Sequence, residues 1–128
     1  MVLFRSLVQS ADVEDVRMLT EEEFRRVALG VAGASEGGHM GVADFRVGKR
    51  IFATLGYPRP GFAMAKLTPE QQRLVTKAEP AVFAPVRGGW GLKGATLIVL
   101  AEADAATVRS ALEMAISNLE AKKKNVLF

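Results

Sequence analysis

Residues 43–67 read ADFRVGKRIFATLGYPRPGFAMAKL, and this stretch limits the fold more than any other. Short apolar runs alternate with polar residues, and each run ends at glycine or proline. Phe45 and Val47 alternate with polar neighbours, as a half-buried strand requires. Gly48-Lys49 marks a tight turn. Ile51, Ala53 and Leu55 then share one side of a second strand, with Phe52 on the other. Pro58, Pro60 and Gly61 end that strand, and Phe62, Met64 and Leu67 suggest a third. Strands joined this closely pair antiparallel, because a parallel pair needs a long crossover. The segment is therefore expected to be an antiparallel meander.

Helices bracket it. Thr20 caps the first, with Glu23 three residues on to complete a reciprocal capping box and Glu21 and Glu22 at the positive end of the helix dipole. Phe24, Val27, Ala28 and Val31 repeat at helical spacing, which predicts a helix over 21–32. The following GASEGGHMG reads as a loop. Thr68-Pro69-Glu70-Gln71 starts a second helix: Thr68 caps, Pro69 takes the first position, and Gln71 closes the box. Leu74, Val75 and Ala78 form its expected inward stripe, and Pro80 stops it. Val82, Phe83 and Val86 predict a short strand, and Thr96–Leu100 a buried one. Asp104 caps a last helix carried by Val108, Ala111, Leu112, Ala115, Ile116 and Leu119, with Lys122, Lys123 and Lys124 near its negative end. The pattern predicts an α+β fold, an antiparallel sheet packed against helices.

With 128 residues, 49% of them hydrophobic, the chain suits one domain with a real core. It has no cysteine, which excludes disulfides, thiolate zinc sites and cysteine nucleophiles. The opening MVLFRSLVQSADVEDVRM lacks a secretory pattern, because Arg5 interrupts its short apolar start and Asp12, Glu14 and Asp15 follow. Residues 1–18 are expected to form a loosely attached arm, and 19–128 a single domain. No run approaches the roughly 18 apolar residues of a membrane span. A cytoplasmic location without membrane partners is expected.

The net charge of +3 is unevenly spread. Residues 1–42 hold four cations and seven anions, residues 43–96 nine and three, and residues 97–128 four of each. The basic middle can attract phosphate backbones.

The segments EGGHMGVADFRVGKRIFATL, AMAKLTPEQQRLV and AEPAVFAPVRGGWGLKGAT, followed by the helical ATVRSALEMAISNLE, together resemble the MmcQ/YjbR-like family over about residues 20–119. DFRVGKRIFATL, KLTPEQQ and the Trp90-Gly91 segment are the most distinctive pieces. The resemblance implies a small double-wing-like (YjbR-like) α+β domain and suggests DNA as a partner. Two places depart from the family pattern. Val42-Ala43 stand where His-Pro is common, and Leu97-Ile98-Val99 where Asn-Val-Arg is common.

Arg46, Lys49 and Arg50 flank the first hairpin, while Arg87 and Lys93 flank the glycine-rich GGWGLKG. Arginine can clamp a phosphate through two donors and lysine adds a flexible charge. These five cations are the candidate DNA contacts, and they imply phosphate binding without sequence readout. The glycine-rich run matches neither the P-loop nor the dinucleotide fingerprint. It is expected to be a bend between strands, with Trp90 plugging it against the core.

A second reading is a small-molecule or protein interaction module near His39, Tyr57 and Trp90. A third is an enzyme using His39, the only histidine, with Glu36 or Asp44. Histidine with those carboxylates also offers metal-ligand types, and Ser35, His39 and Asp44 have the types of a nucleophilic triad, but neither spacing is diagnostic. No cofactor is expected. Protein partner and oligomeric state stay open.

Overall fold

A computed structural model describes residues 19–39 and 41–127. The expected arm, residues 1–18, lies outside the described residues. The elements in chain order are α1 (Glu21–Leu29), β1 (Ala34–His39), β2 (Val42–Val47), β3 (Arg50–Leu55), β4 (Phe62–Lys66), α2 (Pro69–Ala78), β5 (Phe83–Pro85), α3 (Gly89–Leu92), β6 (Ala95–Val99) and α4 (Ala105–Leu127). A single 3-10 turn, Leu100–Glu102, joins β6 to α4. The six strands form one antiparallel sheet in the order β1-β2-β3-β4-β6-β5. The fold is α+β, as the strand and helix pattern requires. Among the described residues, no helix is long and apolar enough to cross a membrane.

The helix starts follow their capping chemistry. Both reciprocal boxes are present, Thr20 with Glu23 and Thr68 with Gln71, and Pro69 enters α2 at its first turn. The Asp104 carboxylate accepts a 2.8 Å bond from the Thr107 amide at the head of α4. The main core lies between one face of the sheet and α1, α2 and α4. Phe24, Phe45, Phe52, Ile98, Leu100 and Leu112 are its largest apolar members. Phe24 meets Phe45 edge-on at 5.8 Å. A second, smaller cluster of Met64, Val86 and Ala95, with Leu97 against it, occupies the opposite face beneath the α3 segment.

Several local expectations are corrected. Helix α1 stops at Leu29 and does not reach 32, because the chain turns at Gly30 and Val31 and enters a strand. That strand, β1, takes up most of the segment expected to be loop. Six residues with little strand propensity pair along the whole of β2, from Ala34↔Val47 to His39↔Val42, so tertiary pairing overrides local preference.

In β3 the alternation breaks. Phe45 pairs with Ala53 and Arg46 with Ile51, so Phe52 is the extra residue of a β-bulge. Phe52 turns into the main core with Ala53 and Leu55, while Ile51 faces the other side of the sheet. In α2 the stripe is displaced. Leu74 is 63% exposed, while Val75 and Gln72 are buried. The Gln72 amide donates to the Gly91 and Ala95 carbonyls at 3.0 and 2.8 Å, tying α2 to the far side of the sheet.

The glycine-rich run is not a simple strand-to-strand bend. It closes into α3, one helical turn held against β6. Gly91 is buried there, packed so closely on the Val86 carbonyl that a Cβ would overlap it. Trp90, on the opposite side of that turn, is 60% exposed and does not plug the core.

Candidate functional site

The face of the sheet away from the long helices carries the site. Cross-strand pairing aligns Gly37, Asp44, Thr54, Met64 and Leu97 in one row over five strands. α3 and the small apolar cluster cover the β6 end of this row. The β2–β3 end stays open and forms a groove of two joined lobes. The first lobe, about 330 Å³, is lined by Ile51, Thr54, Met64, Lys66, Trp90 and Lys93 among others. The second, about 420 Å³, is lined by Val42, Asp44, Arg46, Ile51, Thr54, Tyr57 and Trp90. Ile51, Thr54 and Trp90 belong to both and mark the junction.

Each wall has a local cause. The bulge at Phe52 swings Ile51 onto this face and makes it the apolar floor. The helical turn of α3 lifts Trp90 over the sheet, where its ring centroid lies 6.4 Å from that of Tyr57 at a tilt of 52°. The two rings form one aromatic rim.

Asp44 is only 2% exposed, and its carboxylate accepts two bonds from the Arg46 guanidinium at 2.7 and 3.1 Å. That pairing raises the Arg46 pKa, first through the hydrogen bond and then through the opposite charge. A Cβ on Gly37 would come within 3.0 Å of the Asp44 carboxylate and 3.3 Å of the guanidinium, so the bare glycine leaves room for the pair. The Thr54 hydroxyl is buried at the junction with no hydrogen-bond partner among the described residues. A buried hydroxyl left unmet costs about 1–3 kcal/mol.

The candidates read from sequence divide between two places. Tyr57 and Trp90 come together, and Arg46 and Lys93 border the same groove in different lobes. Lys49 and Arg50 do not join them. They lie at the β2–β3 turn and border a separate hollow with Leu119 and Glu120 of α4. Arg87 is exposed on the loop entering α3.

The backbone of His39 pairs with Val42 at the end of β1, and the readings of its imidazole lie outside the described residues. Glu36 pairs across the sheet with Phe45, and its carboxylate is held by Arg25 of α1 at 2.9 and 3.1 Å. Glu36 thus faces the helices and Asp44 the groove, so the two carboxylates do not converge on one site.

Ile51, Thr54, Lys66 and Val42 line the groove and are not among the site candidates read from the sequence. Strict alternation along β3 places Ile51 on the wrong side, and only the bulge brings it beside Thr54. The other signal is the cross-strand row through Asp44 and Thr54, which needs the register of three strands at once.

The architecture defines a class of molecule, a small α+β domain built on a six-stranded antiparallel sheet with a groove on its open face. A solved structure shares it: Deinococcus radiodurans protein DR2400, which carries the DUF419 domain, matches with a TM-score of 0.63 over 77% of each chain at 20% identity. That likeness establishes the fold. No family model matches the chain, and no curated protein does.

Proposed function

We propose that this protein is a non-enzymatic binding module whose site is the two-lobed groove on the open face of the sheet. The observation that carries this reading is the convergence of Tyr57, Trp90, Ile51 and the unmet Thr54 hydroxyl on one concave surface. Small-molecule sites share that composition: apolar and aromatic walls with a few polar groups aimed inward. The likeness to DR2400 supports reading the chain as a distant YjbR-like, double-wing protein. A cytoplasmic setting fits the cysteine-free composition.

A screen of small aromatic fragments by heteronuclear NMR tests the reading. Binders should shift the amides of Val42, Ile51 and Thr54 and the Trp90 indole together and saturably. A Thr54→Trp variant, which fills the junction, should lose those shifts while keeping the rest of the spectrum. Shifts scattered over the surface, or none from folded protein, would defeat the groove as the site.

One observation favours a second reading. Arg87 and Lys93 are exposed at the two ends of α3, with Trp90 between them, the mixture of cations and aromatic that single-stranded nucleic acid uses. Binding of an oligonucleotide that weakens steeply with salt and shifts Trp90 would support that reading. Binding that leaves Trp90 unmoved would reject it.

A further inference from the structure

From the charge arrangement of the groove we infer that its ligand is a small, planar aromatic anion, with its ring against Trp90 and its anionic group at Lys66 and Lys93. The inference rests on the groove being the binding site and adds the chemistry of what it takes.

The two lobes differ in charge. In the lobe of Asp44 and Arg46 the carboxylate and guanidinium are already bonded to one another, so their charges largely cancel. Of the other walls there, Val42, Ile51, Tyr57 and Trp90 are apolar or aromatic, and Thr54 adds one neutral hydroxyl. The other lobe is bordered by two exposed lysines, Lys66 and Lys93. Neither is in an ion pair among the described residues, and no carboxylate lines that lobe. An anion held beside low-dielectric walls gains more from two cations than it would in open water. Trp90 and Ile51, common to both lobes, provide apolar surface for a flat ring. Thr54, also common to both, has a hydroxyl able to meet a ring heteroatom or one oxygen of the anion. The ligand is therefore flat in one part, negatively charged at one end, and short enough to span the junction.

The test compares 2-naphthoate with its neutral carboxamide by calorimetry, following the single Trp90 indole signal by NMR in parallel. The carboxylate should bind saturably at Trp90. The carboxamide should bind about tenfold more weakly, the scale of one charge-assisted contact. Lys66→Gln with Lys93→Gln should erase the preference for the acid, and an unchanged urea midpoint shows that the variant still folds.

Equal affinity for acid and amide, unaffected by the double substitution, would overturn the anion assignment and leave the groove reading standing. Failure of both probes to move Trp90, with fragments of other shapes also silent, would overturn both readings. Salt-sensitive oligonucleotide binding at Trp90 with naphthoate inactive would overturn the small ligand and give the surface to a nucleic acid.

Discussion

Thr54 concentrates the cost of the site in one atom. Its buried hydroxyl meets no partner among the described residues, between a lobe holding a closed ion pair and a lobe bordered by Lys66 and Lys93. Thr54→Val keeps the shape and removes the unmet group. It should therefore raise stability by about 1 kcal/mol, read as the urea midpoint at unchanged slope. The same variant should weaken any ligand that shifts Trp90. A loss of stability would mean that the hydroxyl already has a partner.

Glu23 behaves in the opposite way, because its polar atoms are met. Its carboxylate accepts a 2.9 Å bond from the Thr20 amide, and that bond is the main cause holding its pKa below the usual glutamate value. A folded pKa below the unfolded one means that the stabilisation is complete above the unfolded value. It is lost as pH falls through the folded value. The stability gap between the protein and Glu23→Gln should accordingly shrink as pH drops below about 4.3. A gap that widens in acid would contradict the capping box.

At the scale of elements, the parts legible in the sequence are those whose cause is local. The caps at Thr20, Thr68 and Asp104 depend on residues within three positions, and the structure bears them out. The missed parts have causes distant in sequence. β1 is a strand because β2 pairs with it, and a glycine-rich polar run carries no trace of that. The bulge at Phe52 belongs to the pairing of β3 with β2, and it reverses the side on which Ile51 lies. α3 depends on Gly91 meeting the Val86 carbonyl, a contact that spacing does not announce. Because a Cβ at this position would overlap that carbonyl, Gly91→Ala should destabilise the fold by about 3 kcal/mol. It should also move the Trp90 indole signal, since α3 carries the ring. Near-neutral stability with an unmoved indole would show that α3 does not hold the rim.

At the scale of the molecule, composition indicated a basic middle but not where its charges would lie. Folding separates those cations. Arg46 closes on Asp44, Lys49 and Arg50 border a hollow with α4, and Lys66 and Lys93 line a groove beside the exposed aromatics. Net charge along the chain therefore says less about a partner than the face on which each cation ends. The account depends on an accessible Trp90 standing on a positively charged rim. Trp90 is the only tryptophan, so its fluorescence reports on that rim alone. Measured against free N-acetyltryptophanamide, collisional quenching of the unliganded protein at low ionic strength should favour iodide over caesium, and Lys66→Gln with Lys93→Gln should abolish that excess. A tryptophan that neither ion reaches, or one that caesium quenches better, would contradict it.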